Sequence, residues 1–75
     1  MQEAFDLMVA LRRLIDFEED AQEGYGDAAI ALMGEGQIAY GAAVFKAGHS
    51  YGKRARVLRS ELADLQLKYG RLDQP

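Results

Sequence analysis

The chain has 75 residues, a formal net charge of −3 and no cysteine. A chain of this length has room for one domain, and so small a fold buries only about 60% of its unfolded surface. Disulfides are excluded, and a Cys/His zinc site is excluded because His49 is the single histidine. Of the usual ways in which small domains gain stability, oligomerisation remains.

The amino terminus and the apolar segments bear on cellular location. The first residues are acidic and lack the basic and apolar regions of a signal peptide. The longest uncharged run, from Gly36 to Phe45, has ten residues, whereas roughly 20 are needed to cross a bilayer. We therefore expect a soluble, cytoplasmic protein that does not span a membrane.

Within a single domain covering residues 1–75, the first predicted helix runs over about residues 3–23. Its apolar side chains recur at three- and four-residue steps and form one stripe, which is typical of a helix packed on one side. The members of this stripe are Phe5, Met8, Leu11 and Ile15, with Leu7 and Leu14 beside them. We expect the segment 24–27 to end the helix, with Gly24 as its C-cap and Asp27 as the next N-cap.

The second predicted helix, about residues 28–47, carries glycine at a strict seven-residue spacing. Glycine inside a helix costs about 1 kcal/mol relative to alanine. Repeated glycines on one face therefore indicate close approach of another backbone, and the alternative is a helix that is simply weak. The predicted interface residues on this face are Gly34, Ile38, Gly41, Phe45 and Gly48.

The third predicted helix, about residues 51–69, begins after Ser50 as N-cap and ends at Gly70. A short heptad seam runs along it, and the predicted interface residues there are Leu58, Leu62 and Leu65. The segment 48–52 is expected to turn the chain, although a bend within one long helix is the alternative. The predicted fold is all-α, a two- or three-helix antiparallel hairpin or bundle completed by homo-oligomerisation.

The charges are distributed unevenly along the chain. Residues 1–40 contain nine acidic and two basic side chains, a balance of −7, and residues 41–75 contain seven basic and three acidic ones, a balance of +4. Such asymmetry indicates either a nucleic-acid surface or two complementary halves that pack together. The candidate anion-binding or partner-binding residues are Lys53, Arg54, Arg56 and Arg59.

Two segments invite comparison with known sites, and both comparisons fail on detail. The acidic run 18–23 would need a facing acidic motif to hold metals, as in di-iron bundles. The segment 48–54 loosely resembles the turn of a helix-turn-helix protein, but His49 and Arg54 stand where that motif has buried apolar side chains. No catalytic, metal or cofactor residue is predicted.

These observations predict a non-enzymatic protein-interaction module that acts by binding a protein partner, through steric blocking or assembly. The expected partners are a second copy of the chain and another protein. The alternative is a nucleic-acid-binding or regulatory protein that uses the basic start of the third helix. The short, acidic, cysteine-free profile is similar in kind to small proteins with which phages and mobile elements block host machinery. This similarity is one of size and composition and rests on no sequence motif.

Overall fold

The fold, seen in a computed structural model that describes residues 2–70, is an antiparallel hairpin of two long helices. Helix α1 spans Gln2–Gly34 and helix α2 spans Ile38–Tyr69, and the two pack along their length. The hairpin measures 53 × 17 × 15 Å, so it is one helical layer thick. The all-helical prediction, in its two-helix form, is therefore confirmed.

The predicted helix boundary at residues 24–27 is wrong, and at residues 48–52 the chain does not turn but continues as one long helix, as in the alternative, because both segments lie inside continuous helices. Neither segment contains a glycine with positive φ, so nothing there forces the chain out of the helix. An internal glycine costs about 1 kcal/mol, which contacts between the helices can offset. Tyr25, for example, stacks on Tyr51 of α2 with ring centroids 5.2 Å apart.

The chain reverses instead at residues 35–37, where Gly36 has a φ of 86°. The Gly36 N–H donates to the Met33 carbonyl oxygen over 3.0 Å, and the Gln37 N–H donates to the Leu32 carbonyl oxygen over 2.9 Å. This pair of hydrogen bonds is the Schellman arrangement, in which glycine takes the left-handed position after a helix. Gly36, rather than Gly24, therefore ends the first helix.

In the half of the hairpin that contains residue 2 and residue 70, large side chains fill the space between the helices. Met8, Ile15 and Leu62 are buried there. Partly buried side chains surround them: Phe5, Leu11, Leu58, Leu65 and Tyr69. We call this region the terminal half. The apolar stripe of α1 and the heptad seam of α2 meet here within one chain.

In the half next to the turn, glycines of α2 lie directly against α1. A Cβ placed on Gly41 would come within 2.7 Å of Met33 Cγ and 2.9 Å of the Ala29 carbonyl oxygen. A Cβ on Gly48 would lie 3.0 Å from Tyr25 Cβ. We call this region the turn half. It has the close backbone approach that the seven-residue glycine spacing indicates.

Candidate interaction surfaces

The eight predicted interface residues divide into two groups in the structure. Gly41, Gly48, Leu58, Leu62 and Leu65 lie between α1 and α2. The other three are exposed: Gly34 has no atom near an added Cβ, and the side chains of Ile38 and Phe45 face outward. The pattern therefore marked a contact within the chain, and its helical register extends from Gly41 through Gly48 to Gly52, which is also buried.

One of the four candidate basic residues, Arg54, forms an ion pair with Glu18 across the hairpin. Arg54 Nε donates to Glu18 Oε2 over 3.1 Å. Glu18 is only 8% exposed, because its position on α1 places it on the buried side, three residues after Ile15. The Arg54 guanidinium also lies 4.6 Å from the centroid of the Tyr51 ring. This cation–π contact helps to hold the guanidinium in place beside Glu18.

Arg59 is also engaged within the chain, on the opposite side of the hairpin. Its Nε and Nη2 donate to the carboxylate of Glu19 over 3.0 and 2.6 Å. This hydrogen bonding raises the pKa of Arg59 above its ordinary value. Two of the four candidate basic residues therefore neutralise acids of the first helix, the second of the two roles that the charge asymmetry indicates.

The other two candidates, Lys53 and Arg56, are exposed, and neither forms an ion pair with a residue in the range 2–70. The four basic side chains thus do not form one free cationic patch. Among the same residues, no group of His, Asp and Glu side chains could hold a metal ion. Neither helix, as described, is apolar over a long enough stretch to cross a membrane.

A mostly apolar groove of about 320 Å³ opens on one broad side of the hairpin. Its lining residues are Leu14, Glu18, Lys53, Arg54, Val57 and Leu58. Leu7 lies two helical turns before Leu14 on the same side of α1, and Phe17 lies about one turn after Leu14. We call the exposed apolar side chains of this side the open apolar face: Leu7, Leu14, Phe17 and Val57.

A second groove, of about 330 Å³, runs along the other broad side and is polar. Glu19 and Arg59 border it and are bonded to each other. Gln22 fills the space over Gly52, with its amide nitrogen 2.5 Å from where a Cβ would stand. His49 packs edge-on against Phe45 at 4.9 Å between centroids. Most side chains that line this groove are therefore in contact with one another, whereas Arg56, which also lines it, is exposed and outside both ion pairs.

Sequence reasoning missed the open apolar face. It placed Leu7 and Leu14 beside the other residues of one apolar stripe, left out Phe17, and did not predict that these side chains form an exposed surface. The sequence nevertheless contains a signal for this face. Apolar residues of α1 occupy both the buried positions and exposed positions next to them, so the apolar surface of α1 is wider than one partner helix can cover. Comparison of the chain with protein-family models, with curated proteins and with solved structures gave no match.

Proposed function

We propose that the chain is a non-enzymatic protein-interaction module that self-associates through the open apolar face. Two hairpins paired in this way form a four-helix bundle, a rigid block that then binds another protein and blocks or assembles it. The observation that carries the proposal is the open apolar face itself. Four large apolar side chains stand exposed on one side of a hairpin that has no second layer.

The thinness of the hairpin supports this pairing. Stable domains are built from at least two packed layers of secondary structure, whereas this hairpin is one layer. Within residues 2–70, its buried apolar core is confined to a few side chains between the helices, of which Met8 is the only large one that is fully buried. A second layer would remove Phe17 and Val57, each 62% exposed, from water. Burial of such side chains contributes about 1.5–3 kcal/mol each.

A second copy is the occupant that best suits the face. The ion pair beside it, formed by the buried Glu18 and the half-exposed Arg54, is already neutral, so these two side chains require no opposite charge from a partner. A two-fold symmetric contact uses the same patch on both subunits, and an apolar patch can cover its own copy. Apart from Lys53 and Arg54 at the border of the groove, the exposed charges lie outside it and stay available to another protein.

The nucleic-acid alternative has weaker support. Phosphate binding requires basic side chains that are free to replace counterions, and Arg54 and Arg59 are held by glutamates of α1. Lys53 and Arg56 remain exposed. The alternative would therefore depend on half of the basic cluster that the sequence indicates.

Size-exclusion chromatography with light scattering tests the proposal, using two variants of the same helix. Val57→Glu places a charge on the open apolar face, whereas Ala63→Glu places one at another exposed position of the same helix. Ala63 lies one helical turn after Arg59 and therefore shares the side of α2 that borders the polar groove. We expect wild type and Ala63→Glu to be dimers and Val57→Glu to be a folded monomer.

Circular dichroism establishes that both variants keep their helices. Leu14→Glu repeats the test from α1 and should give the same monomer. Monomeric wild-type protein at concentrations near 100 μM would refute the proposal, and so would equal masses for the wild type, Val57→Glu and Ala63→Glu.

A further inference from the structure

A line of basic and polar side chains runs along the outer edge of α2, which we call the basic edge. Its residues recur at steps of three, four and three, so they share one side of the helix. They are Lys46, His49, Lys53 and Arg56, and all four are exposed. None takes part in the ion pairs found within residues 2–70. Lys53 borders the apolar groove and Arg56 the polar one, so the line lies between them.

A line of acids runs along the outer edge of α1, which we call the acidic edge. Its steps are four, three and four, which again place the side chains on one side of the helix. They are Asp16, Asp20, Glu23 and Asp27, and all four are exposed. The glutamates that do pair with arginines, Glu18 and Glu19, lie between them in sequence but face the partner helix. The acidic edge therefore contains none of the acids that form the ion pairs of the fold, although the charge of Asp16 helps to raise the pKa of Arg59.

The contacts across the hairpin show that the two edges stand at the same height. Glu18 bonds to Arg54, Gln22 covers Gly52, and Tyr25 contacts Gly48. The same antiparallel correspondence places Asp20 level with Lys53 and Asp27 level with Lys46. Asp16 is level with Arg56 and Glu23 with His49 in the same way. Every acid of one edge thus has a basic or polar counterpart at its own height on the other edge.

We infer that the basic edge docks against the acidic edge of a second copy that stands beside the first in the same orientation. In that position, α2 of one copy lies antiparallel to α1 of the next, as the two helices do within the hairpin. Asp27 then faces Lys46 of the neighbouring copy and Asp16 faces its Arg56. The match is one of position as well as of net charge, which is what selects this partner over any other anion.

The contact joins different surfaces of the two copies, so it leaves one free edge at each end. Such head-to-tail contacts produce rings or open chains, in contrast to the closed pair formed by a symmetric contact. The inference extends the proposed self-association and adds a second surface to it. Since the two edges include none of the apolar side chains of the open apolar face, pairing through that face and docking through the edges are separable by experiment.

Sedimentation velocity at two salt concentrations provides the measurement. At about 0.02 M salt, exposed charges act over roughly 20 Å, and at about 0.5 M they are screened within about 4 Å. We expect nuclease-treated wild-type protein to form species larger than a dimer at low salt and to lose them at high salt. The dimer formed by the open apolar face should persist in both.

Three charge variants test the register. Lys46→Glu/Arg56→Glu reverses the basic edge, Asp16→Lys/Asp27→Lys reverses the acidic edge, and each should lose the larger species. The fourfold variant that combines all these changes restores opposite charges at both altered heights and keeps the net charge of −3. We expect the fourfold variant, and neither double variant, to form the larger species again.

The result that would overturn the inference is a wild-type mass that does not depend on salt, or a fourfold variant that fails to regain the larger species. Salt-dependent binding of an oligonucleotide that Lys46→Glu/Arg56→Glu abolishes, with no association of the protein alone, would also overturn it and assign the basic edge to nucleic acid. In the Val57→Glu background, low-salt association should remain, which separates failure at the edges from failure of the apolar pairing.

Discussion

The terminal half and the turn half of the hairpin hold the same two helices together in different ways. In the terminal half, Met8, Ile15 and Leu62 fill the space between the helices with large side chains. In the turn half, Gly41 and Gly48 bring the backbone of α2 against atoms of α1. The terminal half gains stability from buried apolar area. The turn half gains it because glycine has no side chain that would keep the helices apart.

This difference determines what kind of substitution each half tolerates. A core of large side chains is weakened when atoms are removed, because a cavity remains. A contact built on glycine is weakened when atoms are added, because the neighbouring backbone cannot move aside cheaply. Truncation and enlargement should therefore have opposite outcomes in the two halves, and paired variants of each can be compared directly.

The largest effect is expected from truncation in the terminal half. Leu62 is 8% exposed and belongs to the buried cluster, so Leu62→Ala should lower the free energy of unfolding by about 2–5 kcal/mol. Leu67→Ala, at the 88% exposed position of the same helix, should change it by less than about 0.5 kcal/mol. Urea denaturation followed by circular dichroism measures both. Similar losses for the two variants would contradict the assignment of the core.

A smaller loss is expected from enlargement in the turn half. Gly41→Ala puts a Cβ within 2.9 Å of the Ala29 carbonyl oxygen and should cost about 1–3 kcal/mol. Gly24→Ala is the matched control, because no atom lies within 4 Å of its added Cβ. That variant should gain about 0.5–1 kcal/mol from better helix propensity. Thermal unfolding gives both signs, and a gain at Gly41 would disprove the close approach.

A graded response within the turn half would sharpen the same comparison. The atoms nearest an added Cβ at Gly52 belong to the Gln22 side chain, which can swing aside, whereas those at Gly41 include backbone. We therefore expect Gly52→Ala to cost less than Gly41→Ala, and less than about 1 kcal/mol. The comparison uses the same denaturation curves. Equal costs at the two positions would mean that the neighbours, flexible or rigid, do not decide the outcome.

The smallest effects concern the two ion pairs. Arg54→Ala leaves the 8% exposed Glu18 without its partner, and we expect a loss of about 1 kcal/mol, reduced because Arg54 itself is half exposed. Arg59→Ala removes a pair in which both side chains are solvent-exposed, so no measurable change is expected. A greater loss for Arg59→Ala than for Arg54→Ala, in denaturation at constant salt, would contradict this order.

The helical class, the stripe at Met8 and Ile15 and the seam at Leu62 could be predicted from periodicity, because each repeats at the helical spacing. The position of the turn could not. Gly24, Gly36 and Gly48 are equally plausible helix ends by residue type alone, and the choice depends on which arrangement lets the two helices cover each other over their full lengths. That choice depends on contacts between residues that are distant in sequence, and the helix propensity of a local segment does not encode such contacts.

The interaction surfaces show a similar division. The charge asymmetry predicted that basic residues of the second half could neutralise acids of the first, and Arg54 with Glu18 is such a pair. Which arginine meets which glutamate required the register of the hairpin. The two edges depend on it still more, since Asp27 and Lys46 stand level only because the chain turns at Gly36.

The glycines that contact α1 also have a consequence for how the sequence can change over generations. At Leu62, several residues of similar volume offer acceptable replacements, so the position can drift through intermediates. At Gly41, every one of the other amino acids is larger, and each begins with the same Cβ that the Ala29 carbonyl oxygen opposes. A saturation library should therefore show a gradual ranking at the leucine and a nearly uniform exclusion at the glycine.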